Sequence, residues 1–497
     1  MNSTDTLAPS LAAKPQPQMP SGSYDRVVPL IIATALFMEN MDSTVIATSL
    51  PAIARALATN PLTLKLAVTS YLLSLAICIP ASGWTADRFG ARNVFRFAIG
   101  VFVLGSIGAA ASRTLDEFVL ARIVQGVGGA MMTPVGRLIM VRTVDKKNLL
   151  NAMSLVTMPA LIGPICGPPL GGFITTYASW HWIFLINVPI GLVGIVLASR
   201  YIANVRVERR DPFDFVGFVL SGLAIAGLAF GLSAMGLESL PVSVVAALIC
   251  IGTVSAIAYV IHAGRTPAPI LDLNLLRLPT FRASVVGGFL FRLGIGALPF
   301  LLPLLLQIGF NLSPFQSGLI TFTTALGSMF MKAAVASVLN RFGYRNVLLY
   351  NALVSSAFLL ACATFVPGMP FTVMIVILLS GGFFRSLQFT SINTIAYAEI
   401  EPAKMSRATA MVAAAQQLSL STGVAVGALV VETTLWLRHS TTMSASDFPP
   451  AFIVVGLISA SAVFVFMQLA PDAGSELSGR KAAEADVANK STASRSS

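Results

Sequence analysis

The sequence predicts an all-α integral membrane protein, with two six-helix bundles and two inserted transmembrane helices, fourteen in total. Three observations carry this. First, of 497 residues 55% are hydrophobic and only 11% charged, with a mean hydropathy of +0.80, whereas a soluble domain carries about 25% charged residues. A water-soluble core cannot hide that much apolar surface, so lipid is the solvent for most of the chain. Second, the apolar residues fall into fourteen runs, each near the ~20 residues that cross the hydrocarbon core. They are approximately 27–48, 65–84, 94–112, 117–141, 150–175, 182–202, 214–236, 241–262, 283–306, 315–338, 347–366, 371–395, 407–435 and 451–470. Third, the chain repeats itself. Residues 87–95 (DRFGARNVF) and 340–348 (NRFGYRNVL) agree at six of nine positions, and each separates two apolar runs.

Two more landmarks follow the same repeat. Arg122-x-x-Gln125 recurs as Arg385-x-x-Gln388, and Ala152-Met153 recurs as Ala410-Met411, at offsets of 263 and 258 against 253 for Arg92 and Arg345. Similar offsets in the same order predict two bundles, 27–202 and 283–470. Between them lies a linker, 203–282, with two extra spans. Polar tails at 1–26 and 471–497 complete the division.

The net charge of +11 raises nucleic acid as a partner, but no basic patch with interleaved aromatics is present. The cations sit in alternate loops instead. Of 32 Lys and Arg, 23 fall on the side of the two tails, four on the other, and five within spans. The positive-inside rule places both termini in the cytoplasm. Cys78, Cys166, Cys250 and Cys362 lie inside apolar runs, and His181, His262 and His439 are scattered. That spacing suggests neither a disulfide framework nor a metal site. The first apolar run is too long for a signal-peptide core and reads as a retained span. The tail after Asp472 has a composition that favours disorder.

Polar residues inside the spans point to chemistry. Glu39 and Asp42, three apart on the first span, share nearly one helix face and lie near mid-bilayer. An unpaired carboxylate there tends to be neutral, so its proton affinity responds to nearby water or cations. Arg122 on the fourth span is a fixed cation that would bias Asp42 toward its charged form. Glu39 has a second option, balancing Arg292 or Arg385. The polar turn Gly83-Trp-Thr-Ala-Asp87-Arg88-Phe-Gly90-Ala91-Arg92 combines a glycine for close helix approach, one for a tight turn, and an acid that can pair with Arg or a helix N-terminus. On the fifth span, Gly163-Pro164-Ile-Cys-Gly167-Pro168-Pro169-Leu-Gly171-Gly172 makes a smooth face for close packing, interrupted by prolines.

These motifs resemble those of the major facilitator superfamily, and within it the fourteen-helix drug:proton antiporters of the EmrB/QacA type, over residues 27–470. The turn is similar to Gly-x-x-x-Asp-Arg-x-Gly-Arg, with Ala91 at the last arginine and Arg92 beside it. Met41-Asp42-Ser43-Thr44 is similar to the first-helix Leu-Asp-x-Thr, and Arg122-Ile-Val-Gln125-Gly126 to Arg-x-x-Gln-Gly. The fifth-span run resembles the antiporters' Gly-Pro-x-x-Gly-Pro-x-x-Gly-Gly. Trp180-His181-Trp182 through Gly191 resembles a fourteen-helix signature, with His181 in place of Arg at the membrane interface.

The resemblance implies alternating-access export of small amphipathic compounds driven by the proton gradient, with no cofactor and no metal. Asp42, Glu39 and Arg122 would form the proton-coupling site, where a proton and a substrate compete. Phe37, Met38, Tyr71, Gln125, Met131, Phe291, Arg292, Phe384, Arg385 and Gln388 would line the substrate cavity, joined in the same reading by Met132, with Glu432 a further candidate. Gly83, Asp87, Arg88, Gly90, Arg92, Arg341 and Arg345 would form the gating loops, Asp87 locking against the span that starts near Met405. Gly163, Pro164, Gly167, Pro168, Gly171 and Gly172 would seal the outer side against span 315–338. Lys332, seven residues from its loop, is expected to snorkel and lies outside the site. Substrates are expected to skew cationic if Glu39 faces the cavity. The expected setting is a bacterial inner membrane, with a monomer as the working unit, alone or with accessory efflux proteins. A dedicated exporter of one metabolite and a non-transporting scaffold or receptor are the alternatives, and no nucleophile, metal cluster or phosphate loop suggests an enzyme.

Overall fold

The computed structural model describes residues 21–144, 149–203, 213–235, 241–401, 404–440 and 442–475. Most of both tails and the loop cations Lys146, Lys147, Arg206, Arg209 and Arg210 lie outside the described residues.

The described residues form fourteen long helices. In order they are α1 (Ser21–Ala56), α2 (Pro61–Phe89), α3 (Ala91–Ala111), α4 (Leu115–Thr143), α5 (Leu149–Tyr177), α6 (Trp182–Tyr201), α7 (Phe215–Ala234), α8 (Val242–Arg265), α9 (Pro279–Gly309), α10 (Pro314–Phe342), α11 (Tyr344–Ala361), α12 (Phe371–Ile395), α13 (Met405–Leu437) and α14 (Pro449–Phe466). We call the side that carries the two repeated basic turns the basic face.

The helices outrun the apolar stretches that predict them. Charged residues end an apolar run, but a helix continues into the headgroup layer, where charge is solvated. Gly83 to Phe89 are therefore helical, and the turn shrinks to Gly90 alone, with φ +90°. Gly343, with φ +75°, does the same between α10 and α11. The sequence repeat is thus a backbone repeat: in each bundle one glycine in a conformation closed to other residues reverses the chain between two helices. Local signals start other helices. Thr114 accepts a hydrogen bond from the Glu117 N–H at the head of α4, with Asp116 and Glu117 in its first turn, and Ser313 and Gln316 form a reciprocal capping box on α10.

In the first bundle α1 packs on α5 and α6, and α4 on α2 and α3; in the second, α9 packs on α13 and α14, and α10 on α12. The bundles meet along two seams, α5 with α10 and α2 with α13, and α7 of the inserted pair lies against the second seam. Asp214 ties the pair down. It caps α7 through the Gly217 N–H at 2.8 Å, and accepts from the Ile270 N–H at 3.1 Å and from His262 Nε2 at 2.7 Å. Burial pushes its carboxyl up, and these bonds outweigh that and hold it below the usual carboxylate range. Large apolar side chains such as Phe97, Leu104, Val196, Val254 and Phe464 point outward, as a lipid-facing surface requires.

Candidate functional site

Asp42 sits halfway along the apolar part of α1 and is 2% exposed. Two helices converge on its carboxylate. Arg122 Nη1 of α4 donates to Oδ2 at 2.7 Å, while Gln125 Nε2 of α4 and Asn187 Nδ2 of α6 donate to Oδ1 at 2.8 and 2.9 Å. Ser106 of α3 accepts from the same two amides, and Arg122 also donates to Gln125 Oε1. The guanidinium lies 4.2 Å from the centre of the Tyr71 ring. A carboxylate and a guanidinium taken out of water together are tolerated only when their remaining valences are filled, and here the carboxylate accepts three hydrogen bonds. Arg122 Nε and the Tyr71 hydroxyl have no partner among the described residues. The sequence paired Asp42 with Arg122 and overlooked Asn187 and Ser106 as members; the available signal was an amide inside an otherwise apolar run.

The glycines of α3 and α4 make this geometry possible. A Cβ on Gly126 would lie 2.7 Å from the Tyr71 carbonyl, and one on Gly105 2.5 Å from the Gln125 backbone. Any larger residue at either position would push α4 away from the groups it presents to Asp42.

Glu39 departs from its expected pairings. Its carboxylate accepts from Thr133 Oγ1 at 2.8 Å, within the first bundle, and no described bond joins it to Arg292 or Arg385. One turn of α1 thus separates two acids with different surroundings.

A cavity of about 260 Å³ lies between the bundles. Thr44 and Ala47 of α1, Pro164, Ile165 and Pro168 of α5, Leu298, Pro299, Leu302 and Pro303 of α9, and Thr321, Thr324, Ala325, Ser328, Met329 and Lys332 of α10 surround it. The ten residues nominated from sequence lie elsewhere. Met38 and Tyr71 are buried in the first bundle's core, with Met132 in the same core and Met131 against it, while Phe37 packs on the core shared across the bundles. Gln125 belongs to the Asp42 network. Phe291 is in the second bundle's core, and Phe384 stacks on Phe358 at 5.6 Å. Arg292 Nη2 donates to Asn393 at 2.8 Å, Arg385 Nε to the Gly381 carbonyl at 3.1 Å, and Gln388 bonds Asn351 and the Leu348 carbonyl. Aromatic and Met side chains at helical spacing fill cores as readily as cavities, so their type alone did not locate the void.

Lys332 requires the opposite correction. The helix runs on to Phe342, so Lys332 lies ten residues inside its end, ~15 Å along the axis at 1.5 Å per residue. It borders the cavity, and no acceptor bonds it among the described residues.

The α5 glycines also divide differently than expected. Gly163, Gly167 and Gly171 face α1, where a Cβ would strike Phe37, Thr44 and Val45 respectively. Gly172 abuts Pro314, and the Pro168 carbonyl abuts Gly318 of α10. Pro164 and Pro168 therefore form cavity wall between two close helix contacts.

Away from the basic face the bundles are tied by polar contacts. Gln307 Nε2 donates to the Thr48 carbonyl at 2.8 Å, and the Phe315 N–H to Thr176 at 3.1 Å. Lys65 Nζ, fully buried, reaches Glu432 at 2.7 Å and the Met235 carbonyl at 3.1 Å, joining both bundles to the inserted pair. At the basic face Asp87 pairs with Arg142 of its own bundle at 2.6 Å, not with the start of α13. Arg92 reaches the Ile202 carbonyl at 3.4 Å and so holds the end of α6. Arg88 is exposed and Arg341 lies over the Phe342 ring, while among the described residues Arg345 Nε has no partner and no atom would touch a Cβ on Gly83. Gly83 thus marks no close helix contact here. His181 stacks on Trp180 and bonds Ser179 at 2.7 Å, at the far end of the bundle.

The sequence profile of the Major Facilitator Superfamily matches residues 32–258 and 284–496. A protein of Escherichia coli O6:H1 that carries the name multidrug resistance protein MdtD is 40% identical over 402 residues, covering 81% of this chain and 85% of the relative. One of the same name from Escherichia fergusonii is 38% identical over 447 residues, covering 89% and 94%. Among solved structures, a D-xylose-proton symporter superposes with a TM-score of 0.66 at 15% identity, covering 90% of this chain and 99% of that one, and the nucleoside transporter NupG with 0.62 at 12%, covering 88% and 99%. At such identities the likeness establishes the fold. The sequence match over most of its length establishes descent: the chain belongs to the major facilitator superfamily and is a multi-pass membrane protein.

Proposed function

We propose that the protein is a secondary transporter that exports small amphipathic compounds from the cytoplasm in exchange for protons, from a bacterial inner membrane with both termini inside. The observation that carries this is the Asp42 carboxylate, held at mid-membrane by Arg122, Gln125 and Asn187 on the helix that also walls the cavity. An ionisable group at that depth is costly to bury, which makes it a functional candidate by default. The naming of its relatives for multidrug resistance supports the substrate range.

Asp42 does not border the cavity, so we replace competition at one site with coupling through α1. A proton on Asp42 removes the charge that Arg122 grips and one acceptor of the network. That loosens α1 against α4 and α6, and Thr44 and Ala47, less than two turns on, carry the change to the cavity wall. The segments 27–202 and 283–470 would rock as two units about the α2–α13 and α5–α10 seams, with 203–282 riding on one of them. The ties at Lys65, Gln307 and Phe315 close the outer side in the state described, and a change of state must break them. The proton gradient is the proposed energy source, with no cofactor, in a monomer.

In inverted vesicles carrying the wild type, a transported compound is expected to release protons, and Asp42→Asn to abolish that release. Proton release by Asp42→Asn at the wild-type rate would refute the coupling assignment.

A further inference from the structure

We propose that the cavity between α1, α5, α9 and α10 binds amphipathic anions, with Lys332 as counter-charge to the anionic head and the Leu302–Pro303 wall of α9 receiving the apolar part. The proposal deepens the export reading by naming a substrate class, and it rests on that reading for the direction of flux only.

Charge at the cavity is one-sided. Among its lining residues Lys332 is the only ionisable one, and none is Asp or Glu. Arg122 has Asp42, Lys65 has Glu432, Arg292 has Asn393, and Arg385 has the Gly381 carbonyl, whereas Arg137 of α4 does not border the cavity. Lys332 has no acceptor among the described residues. Lys332 is exposed where it borders the cavity, and an unpaired ammonium there attracts an anion. The acids of α1 do not border the cavity: Glu39 accepts from Thr133, and Asp42 from three donors.

The remaining walls suit an amphiphile. Leu298, Pro299, Leu302 and Pro303 present a carbon surface opposite Lys332's helix. Ser328 donates to the Gly382 carbonyl, whereas Thr324 Oγ1, just over two turns (~12 Å) from Lys332, is buried without a partner among the described residues. A mostly apolar pocket with few placed polar groups is the usual form of a small-molecule site. Export of an anion against proton entry also moves charge in one sense with both steps, so the membrane potential adds to the pH gradient.

The test uses the full-length protein in nanodiscs and three fluorescent probes: 11-(dansylamino)undecanoate, its methyl ester, and the analogue with a terminal ammonium. Empty nanodiscs give the lipid background. The wild type is expected to bind the acid about tenfold more tightly than the ester, as a charge-assisted hydrogen bond would provide, and the ammonium most weakly. Lys332→Gln should equalise acid and ester while leaving ester affinity unchanged, and Lys332→Arg should retain the preference. Equal binding of acid and ester by the wild type, tighter binding of the ammonium, or an acid preference that survives Lys332→Gln each overturns the proposal. The wild-type comparison decides even if the Gln variant fails to fold. Binding is read without a gradient, so an intact acid preference with no proton-driven efflux breaks the export reading and spares this one. Proton-driven efflux with no acid preference does the reverse.

Discussion

The two bundles carry the same arginine and glutamine at matching positions of α4 and α12, yet these do different things. Arg122 and Gln125 close on Asp42, with Asn187 and Ser106 completing the network. Arg385 bonds only the carbonyl of Gly381 one turn back, and Gln388 turns to Asn351 and the Leu348 carbonyl of α11. Arg292 likewise has an amide partner and no acid. One ancestral scaffold thus holds a charged pair in the first bundle and neutral packing around cations in the second. Proton chemistry needs a group that changes charge, and among the described residues the first bundle alone bonds a carboxylate to its arginine. The second supplies Lys332 to the cavity.

The largest expected effect tests this asymmetry directly. Arg122→Gln leaves Asp42 buried without its cation and should cost about 3–5 kcal/mol, with proton-coupled efflux lost. Arg385→Gln removes one bond to a carbonyl and should retain efflux within about threefold, since such a bond contributes roughly 0.5–1.5 kcal/mol. Efflux and thermal unfolding of both variants check the ranking, and equal losses would make the bundles functionally equivalent. The tie between bundles comes next. Glu432→Gln strands the buried Lys65 and should lower the thermal midpoint in detergent, whereas Lys65→Met with Glu432→Leu should restore it, because a buried pair is often replaceable by apolar residues although neither half is. No recovery in the double variant would mean that Lys65 acts mainly through the Met235 carbonyl. The smallest effect concerns the repeated turns. Asp87 is 44% exposed in its pair with Arg142, so Asp87→Asn should change stability by about 1 kcal/mol or less and slow transport with little loss of binding. Asn340→Asp should matter less. Unfolding curves and initial efflux rates of the two report the order, and its reversal would move the gating role to the second bundle.

Much of this was legible in the sequence because lipid imposes simple rules. Span length, loop charge and the duplicated turn follow from local composition, and the membrane removes every alternative to helices for the backbone. Asp42 with Arg122 was legible too, since two charges at matched depth in separate spans have few partners. Other pairings were not. Whether Glu39 faces Thr133 or an arginine of the other bundle depends on how α1 is rotated against α4, and that rotation is set by packing along the whole helix, not by the acid. The role of Gly83 as a packing residue failed for the same reason: a glycine permits close approach and does not cause it.

By itself, then, the sequence determined what the chain is made for: lipid as solvent, fourteen helices, two related bundles, an unequal distribution of charge between them. Those are properties of composition and period, which each segment carries wherever it sits. Only the tertiary structure decided where the void lies and which charge enters it. A cavity is what close packing leaves over, and it is set by the crossing of α1, α5, α9 and α10 together. Lys332 borders that cavity because α10 turns this face toward α1, α5 and α9.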